Sequence, residues 1–222
     1  MLFAADSLFA RLRAAVRTDW HAYVRHPFVE QLGAGTLPEE CFRRYLVQDY
    51  RFLIHFARAY ALAAYKSRDL ADIRQAAAGL HTIADIEMRL HVSFCEECGL
   101  SEEEMEAEPE AQETMAYTRY VLEAGNAGDL LDLHVALAPC IVGYAEIGSV
   151  LASKGRMEGN PYRPWIEMYA STDYQTAARR QVKQLDSLLA KRGGEGRFAS
   201  LVETFGEATR LEAAFWDMGL KG

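Results

Sequence analysis

What the 222-residue chain lacks narrows it first. Runs in which polar residues alternate with β-branched ones, the pattern of a half-buried strand, are almost absent, so no sheet is expected. No apolar run approaches the length of a membrane span, and the N-terminal Met1-Leu-Phe-Ala-Ala-Asp6 has no basic region ahead of an apolar one. Neither a membrane association nor an export signal is therefore expected. Positive charge is also short. Asp and Glu number 32 against 24 Lys and Arg, for a net charge of −8. Phosphate contacts need a surface rich in the opposite sign, which argues against a nucleic-acid partner. Only four cysteines occur, Cys41, Cys95, Cys98 and Cys140, and they fit reduced thiols in a cytoplasmic protein. Cys95-Glu-Glu-Cys98 stands alone, without the two further ligands zinc requires or the βαβ context of a redox motif. Glu87 and His91 lie at i, i+4 with His81 further back, but the Glu-x-x-His motifs that a di-iron bundle needs on two helices are missing. His21 or His26 offers only weak grounds for an axial haem ligand. No metal and no cofactor is expected.

What is present is helical. Half the residues are apolar, enough for a substantial core, and no repeat, low-complexity tract or linker divides the chain. The reading is all-α, a single-domain helical bundle over residues 1–222. Periodicity and punctuation predict helices at about 3–24, 37–66, 69–98, 110–124, 129–154, 161–170, 172–192 and 195–219. Thr36 with Glu39, Ser101 with Glu104, and Thr172 with Gln175 have capping-box spacing, and Asp69 and Asp129 can cap their helices. His26-Pro27 is expected to end the first helix, because the residue before proline avoids the α region. Gly33, Gly35, Gly99, Gly125, Gly128, Gly155, Gly159 and Gly193-Gly194 are assigned to the breaks.

Three polar side chains stand out from this apolar background. Cys140 follows Pro139 inside the apolar segment Leu130–Ala152. A proline there removes a backbone N–H and presses on the carbonyl four residues back, so a kink is expected near Val135–Pro139 beside the thiol, with Tyr144 one turn on. By itself a buried cysteine is more often a packing residue. Phe42, Tyr45, Asp49, Phe52 and Phe56 share one helix face, aromatic except for one carboxylate. Phe205, Glu212, Phe215 and Trp216 repeat the pattern. A carboxylate on a core face is costly unless paired, and its pKa tends to rise. Either acid alone could be a buried salt bridge, to Arg51 or Arg210, or a helix cap. Taken together, a thiol and two acids among rings suggest nucleophilic catalysis in a pocket for a flat ring.

The same residues fall in a family pattern. His26-Pro-Phe-Val29, Gly35-Thr-Leu-Pro38 and Tyr45-Leu-Val-Gln-Asp49 resemble the N-terminal signature of the TenA/thiaminase II family. Pro139-Cys140 with Tyr144, and Glu212-Ala-Ala-Phe-Trp216, resemble its later motifs in order and spacing. The resemblance implies a haem-oxygenase-like fold, a homotetramer and a role in thiamin salvage. The implied activity is hydrolysis of 4-amino-5-aminomethyl-2-methylpyrimidine to the hydroxymethyl pyrimidine and ammonia, with thiamin as a second substrate. It further implies Cys140 as nucleophile and Glu212 as proton donor. Asp49 would then grip the aminopyrimidine edge, best kept ionised, with Tyr144, Tyr169, Tyr117, Phe52 and Phe215 binding or walling the substrate. Phe52 departs from the tyrosine that many members carry there. A non-catalytic regulator and a haem-oxygenase-like enzyme acting on another flat substrate are the alternatives.

Overall fold

The computed structural model describes residues 3–221, apart from the side chain of Ile86. In chain order the elements are α1 (Leu8–Ala15), α2 (Arg17–Val24), α3 (Pro27–Ala34), α4 (Glu39–Lys66), α5 (Leu70–His81), a π-turn (Thr82–Glu87), α6 (Met88–Glu97), α7 (Glu102–Ala107) and α8 (Gln112–Ala127). Then follow α9 (Leu130–Ala138), a second π-turn (Pro139–Gly143), α10 (Tyr144–Lys154), α11 (Arg163–Ala170), α12 (Thr172–Lys191), a 3₁₀ turn (Gly194–Arg197) and α13 (Phe198–Leu220). No strand occurs among the described residues, so the all-α class holds. The chain forms two compact units. Unit one is Met1–Leu37 with His134–Asp217, and unit two is Pro38–Leu133 with Met218–Gly222.

In unit one, α10 packs on α11 and α12, and α1 packs on α12. The expected first helix is interrupted at Val16, where the backbone leaves the helical region (φ −111°, ψ 36°). Pro27 does not simply end it. His26 becomes an N-cap whose Nδ1 accepts from the Phe28 N–H, and proline, with no N–H to lose, opens α3. Gly33 lies inside α3, where an added Cβ would come within 2.5 Å of Leu151 Cδ2. Ser171, not Thr172, caps α12, because its hydroxyl accepts from the Tyr174 N–H. Gln175 is thereby released to donate to the carbonyls of Ala145 and Tyr169, 2.8 Å each.

In unit two, the 28-residue α4 is the central element, packed against α5, α6, α7 and α8. Its stripe of Phe42, Tyr45, Asp49, Phe52 and Phe56 is buried as the periodicity predicts. Each such ring stabilises by roughly 1.5–3 kcal/mol when fully buried. Thr36 does not cap α4. Its hydroxyl turns back to the Gln31 carbonyl and Pro38 takes the N-cap place. The Ser101–Glu104 capping box forms on α7, and Asp69 and Asp129 cap as expected. Gly125 sits within α8 against Leu62 and Leu133.

One expectation needs correction. Leu130–Lys154 runs on as a single 25-residue helical stretch that contains an 18-residue window of mean hydropathy 1.7, long and apolar enough to cross a membrane. Its charged residues are spread thinly enough that the polar breaks seen in the sequence do not disqualify it. In the fold 72% of that window is buried inside the protein, as befits a core helix.

Candidate active site

The proline in the apolar segment yields a π-turn in place of a simple kink. Pro139 has no N–H to give the carbonyls one turn back. Buried Gln181 instead donates from Nε2 to the His134 carbonyl at 3.2 Å, and the Tyr23 hydroxyl donates to the Pro139 carbonyl at 3.2 Å. Gly143 closes the turn, and any Cβ there would lie 2.3 Å from the Tyr23 ring. π-turns are rare and concentrate at functional sites. Cys140 lies in this one, partly exposed and not in a disulfide.

From the turn, α10 begins with Tyr144. Its ring centroid is 4.9 Å from Tyr169, 5.9 Å from Trp165 and 5.3 Å from Trp216. Phe28 stacks on Trp216 at 4.9 Å, and Phe215 meets it edge-on at 6.4 Å. Glu212, one turn before Trp216 on α13, is 1% exposed. The arginine proposed for it in a salt bridge is engaged elsewhere, since Arg210 pairs with Asp19 and Glu207. Unit one therefore carries Cys140, Glu212, Tyr144, Tyr169 and Phe215, with Tyr144 and Tyr169 in direct contact.

Unit two carries Asp49, Phe52 and Tyr117. The Phe52 and Tyr117 rings lie 5.1 Å apart, and both are buried. Asp49 is buried too, and Arg51 does not pair with it, donating instead to the carbonyls of Glu106 and Glu108. Its partners are the Tyr45 hydroxyl, which donates to Oδ2 at 3.4 Å, and His91, whose Nδ1 is 3.4 Å from Oδ2. Burial pushes the Asp49 pKa up to about 7, against the Tyr45 hydrogen bond and with added repulsion from Glu87. The expectation of a firmly ionised Asp49 thus gives way to a group that titrates near neutrality. Burial also raises Glu87 to about 7 and lowers His91 to about 4.

Glu87 and His91 are the residues that sequence reasoning passed over. The signal was their i, i+4 spacing, weighed only as part of a metal site. Among the described residues no cluster suited to a metal ion occurs. A hollow of about 430 Å³ on unit two, lined by Arg43, Arg44, Gln48 and Met218 among others, contains none of the eight candidate residues.

Comparison with known proteins completes the picture. The sequence profile described as TENA/THI-4/PQQC family matches residues 13–222. A protein of Halalkalibacterium halodurans named aminopyrimidine aminohydrolase is 37% identical over 213 residues, 96% of this chain and 95% of that protein. The crystal structure of a TenA family transcription regulator from Silicibacter sp. TM1040 superposes with a TM-score of 0.93 at 45% identity, covering 97% of each chain. A domain of unknown function from Shewanella denitrificans with a haem-oxygenase-like fold aligns at TM-score 0.73 and 17% identity, over 96% of this chain and 92% of that one, and shows the fold alone.

Proposed function

We propose that this chain, which belongs to the TENA/THI-4/PQQC family, is an aminopyrimidine aminohydrolase. It converts 4-amino-5-aminomethyl-2-methylpyrimidine and water to the hydroxymethyl pyrimidine and ammonia, and it also cleaves thiamin to pyrimidine and thiazole. The observation that carries this reading is the near full-length similarity to a protein of that name, in a chain whose Cys140 lies on a proline-initiated π-turn.

The chemistry assigns one task to each group. The Cys140 thiolate adds to the electron-poor ring while a ring nitrogen takes a proton. The ring then expels ammonia, or thiazole, from the exocyclic CH₂. Water adds at that carbon, the carbon–sulfur bond breaks, and aromaticity returns. Glu212 supplies and recovers protons, a role suited to a carboxyl buried in an aromatic neighbourhood. Asp49 holds the amino and ring-nitrogen edge. Tyr144, Tyr169, Tyr117, Phe52 and Phe215 orient or stack on the ring.

The profile match across both units supports a single functional domain. We assign the protein to the cytoplasm, as a homotetramer. The exposed Tyr65, Leu70 and Leu90 provide apolar surface for such an assembly to bury. Light scattering that gives the mass of one chain would refute the tetramer.

The direct test incubates purified protein with the aminomethyl pyrimidine and, separately, with thiamin, and measures ammonia and free pyrimidine. Turnover of neither substrate refutes the proposal. The naming of the Silicibacter protein as a transcription regulator motivates the second reading, a regulator without catalysis. The net charge of −8 argues against direct DNA contact, and ammonia release would exclude the purely non-catalytic form.

A further inference from the structure

The face that α6 and its preceding π-turn turn toward α4 carries a run of ionisable groups with no role in the scheme above. The groups facing Asp49 are Tyr45 from its own helix, Glu87 from the end of the π-turn, and His91 and Cys95 from α6. His91 has a defined tautomer. Its Nε2 is 2.9 Å from the Leu46 carbonyl, which can only accept, so Nε2 carries a hydrogen. In the neutral ring Nδ1 is then a bare acceptor, and it lies 3.4 Å from Asp49 Oδ2. The side chains of His91 and Asp49 are 9% and 10% exposed, so water does little to stabilise a charge on either. Among the described residues no Lys or Arg pairs with Asp49 or Glu87, so two carboxyls compete for negative charge in a site without a resident cation.

We propose that Glu87 and His91 are positioning residues that keep Asp49 loaded with one proton for delivery to a ring nitrogen of the bound aminopyrimidine. The inference rests on the aminohydrolase reading and deepens it. A carboxyl and an aminopyrimidine form a two-point pair, nitrogen to one oxygen and amino group to the other, and that pair requires one proton between them. With Asp49 protonated in the free protein, its O–H bond breaks as the ring N–H bond forms, leaving carboxylate against pyrimidinium. No proton need come from solvent. The protonated ring is the better electrophile for Cys140. The bare Nδ1 of His91 accepts from the Asp49 hydroxyl and holds it in place until ligand arrives. Glu87 opposes ionisation by its own charge. The perturbed titrations of Asp49 and His91 run in the directions this arrangement requires.

The test has a ligand-free arm and a ligand arm. In the free protein, carbon-13 NMR of the Asp49 carboxyl should show a midpoint near 7, and nitrogen-15 NMR should show His91 with Nε2 protonated and Nδ1 bare. Glu87→Gln, which is isosteric, should lower the Asp49 midpoint. In the ligand arm, calorimetry with the hydroxymethyl pyrimidine in two buffers of different ionisation enthalpy counts protons taken up on binding. Glu87→Gln should take up more protons than wild type at pH 7. It should also bind more weakly above the midpoint, about tenfold for each unit the midpoint falls, with affinity well below the midpoint unchanged. The ligand's own protonation is common to both proteins and cancels. An Asp49 midpoint in the ordinary carboxylate range, an imidazolium at His91, or an affinity loss in Glu87→Gln that is equal at every pH would overturn the inference. If the NMR titrations are as expected but no aminopyrimidine binds at any pH, the aminohydrolase reading falls, and proton delivery with it.

Discussion

Two regions that look alike in the sequence carry different chemistry. Glu212 in unit one and Asp49 in unit two each appear as one acid in an aromatic stripe. Around Trp216, unit one gathers rings, with Phe28, Tyr144 and Phe215 in contact, and it carries the thiol. Around Asp49, unit two gathers ionisable groups, namely His91, Glu87, Tyr45 and Cys95. An acid on an aromatic stripe is defined less by its own helix than by the helix packed opposite.

Variants can sharpen or break that contrast. The largest effect is expected for Cys140→Ser, which should take ammonia release to background without lowering the melting temperature, since a serine hydroxyl is a poor nucleophile without a dedicated base. Near-normal turnover would remove Cys140 from the mechanism. Glu212→Gln should lower kcat by about 10²–10⁴-fold with little change in KM, because it keeps shape and loses a transferable proton. A change confined to KM would erase the distinction between the two acids. Asp49→Asn should differ by also raising KM, roughly tenfold, the weight of one good polar contact, because it loses the ring-edge contact as well as the proton it delivers.

Asp49→Asn also has a stability signature whose sign follows from the raised pKa. An aspartate at about 7 when folded and 3.8 in the reference state is favoured protonated in the native fold. Its contribution is intact below pH 3.8 and is lost as pH rises through about 7. The asparagine variant should therefore gain on wild type by about 1–4 kcal/mol between pH 4 and pH 8, measured by urea melts. A constant difference across that range would place Asp49 outside the titrating group. The smallest effect is expected for Phe52→Tyr. If a hydroxyl there assists the thiolate, kcat should rise by up to about tenfold. Phe52 packs against Phe56 and Tyr117, so an overpacking cost of about 1–3 kcal/mol is the competing outcome, visible in a thermal melt.

The helical class and most helices were legible because 3.6-residue periodicity and punctuation by Gly, Pro, Ser and Asp are local signals. The helix boundaries that moved did so where two local options competed. Ser171 outbid Thr172 as cap, and Pro27 opened α3 where it was read only as a stop. The turn at Pro139 announced itself by its proline. The one at Thr82–Glu87 contains neither proline nor glycine, so no residue in it announces a break. With it went the meaning of Glu87 and His91. Their partner Asp49 lies some forty residues away on α4, and only tertiary packing brings them together.

Gly148 gives the spacing of α10 and α11 an unexpected handle. A methyl group there would lie 2.6 Å from the Tyr169 carbonyl carbon and 2.8 Å from the Ala170 nitrogen. Backbone, not a yielding side chain, occupies the space, so an alanine would shift α11 bodily and carry Tyr169 with it. The distance at which that phenol stands is thus set by a hydrogen atom on the neighbouring helix. An effort to re-gauge this enzyme for a different ring would do well to start by enlarging position 148 before touching the tyrosine itself.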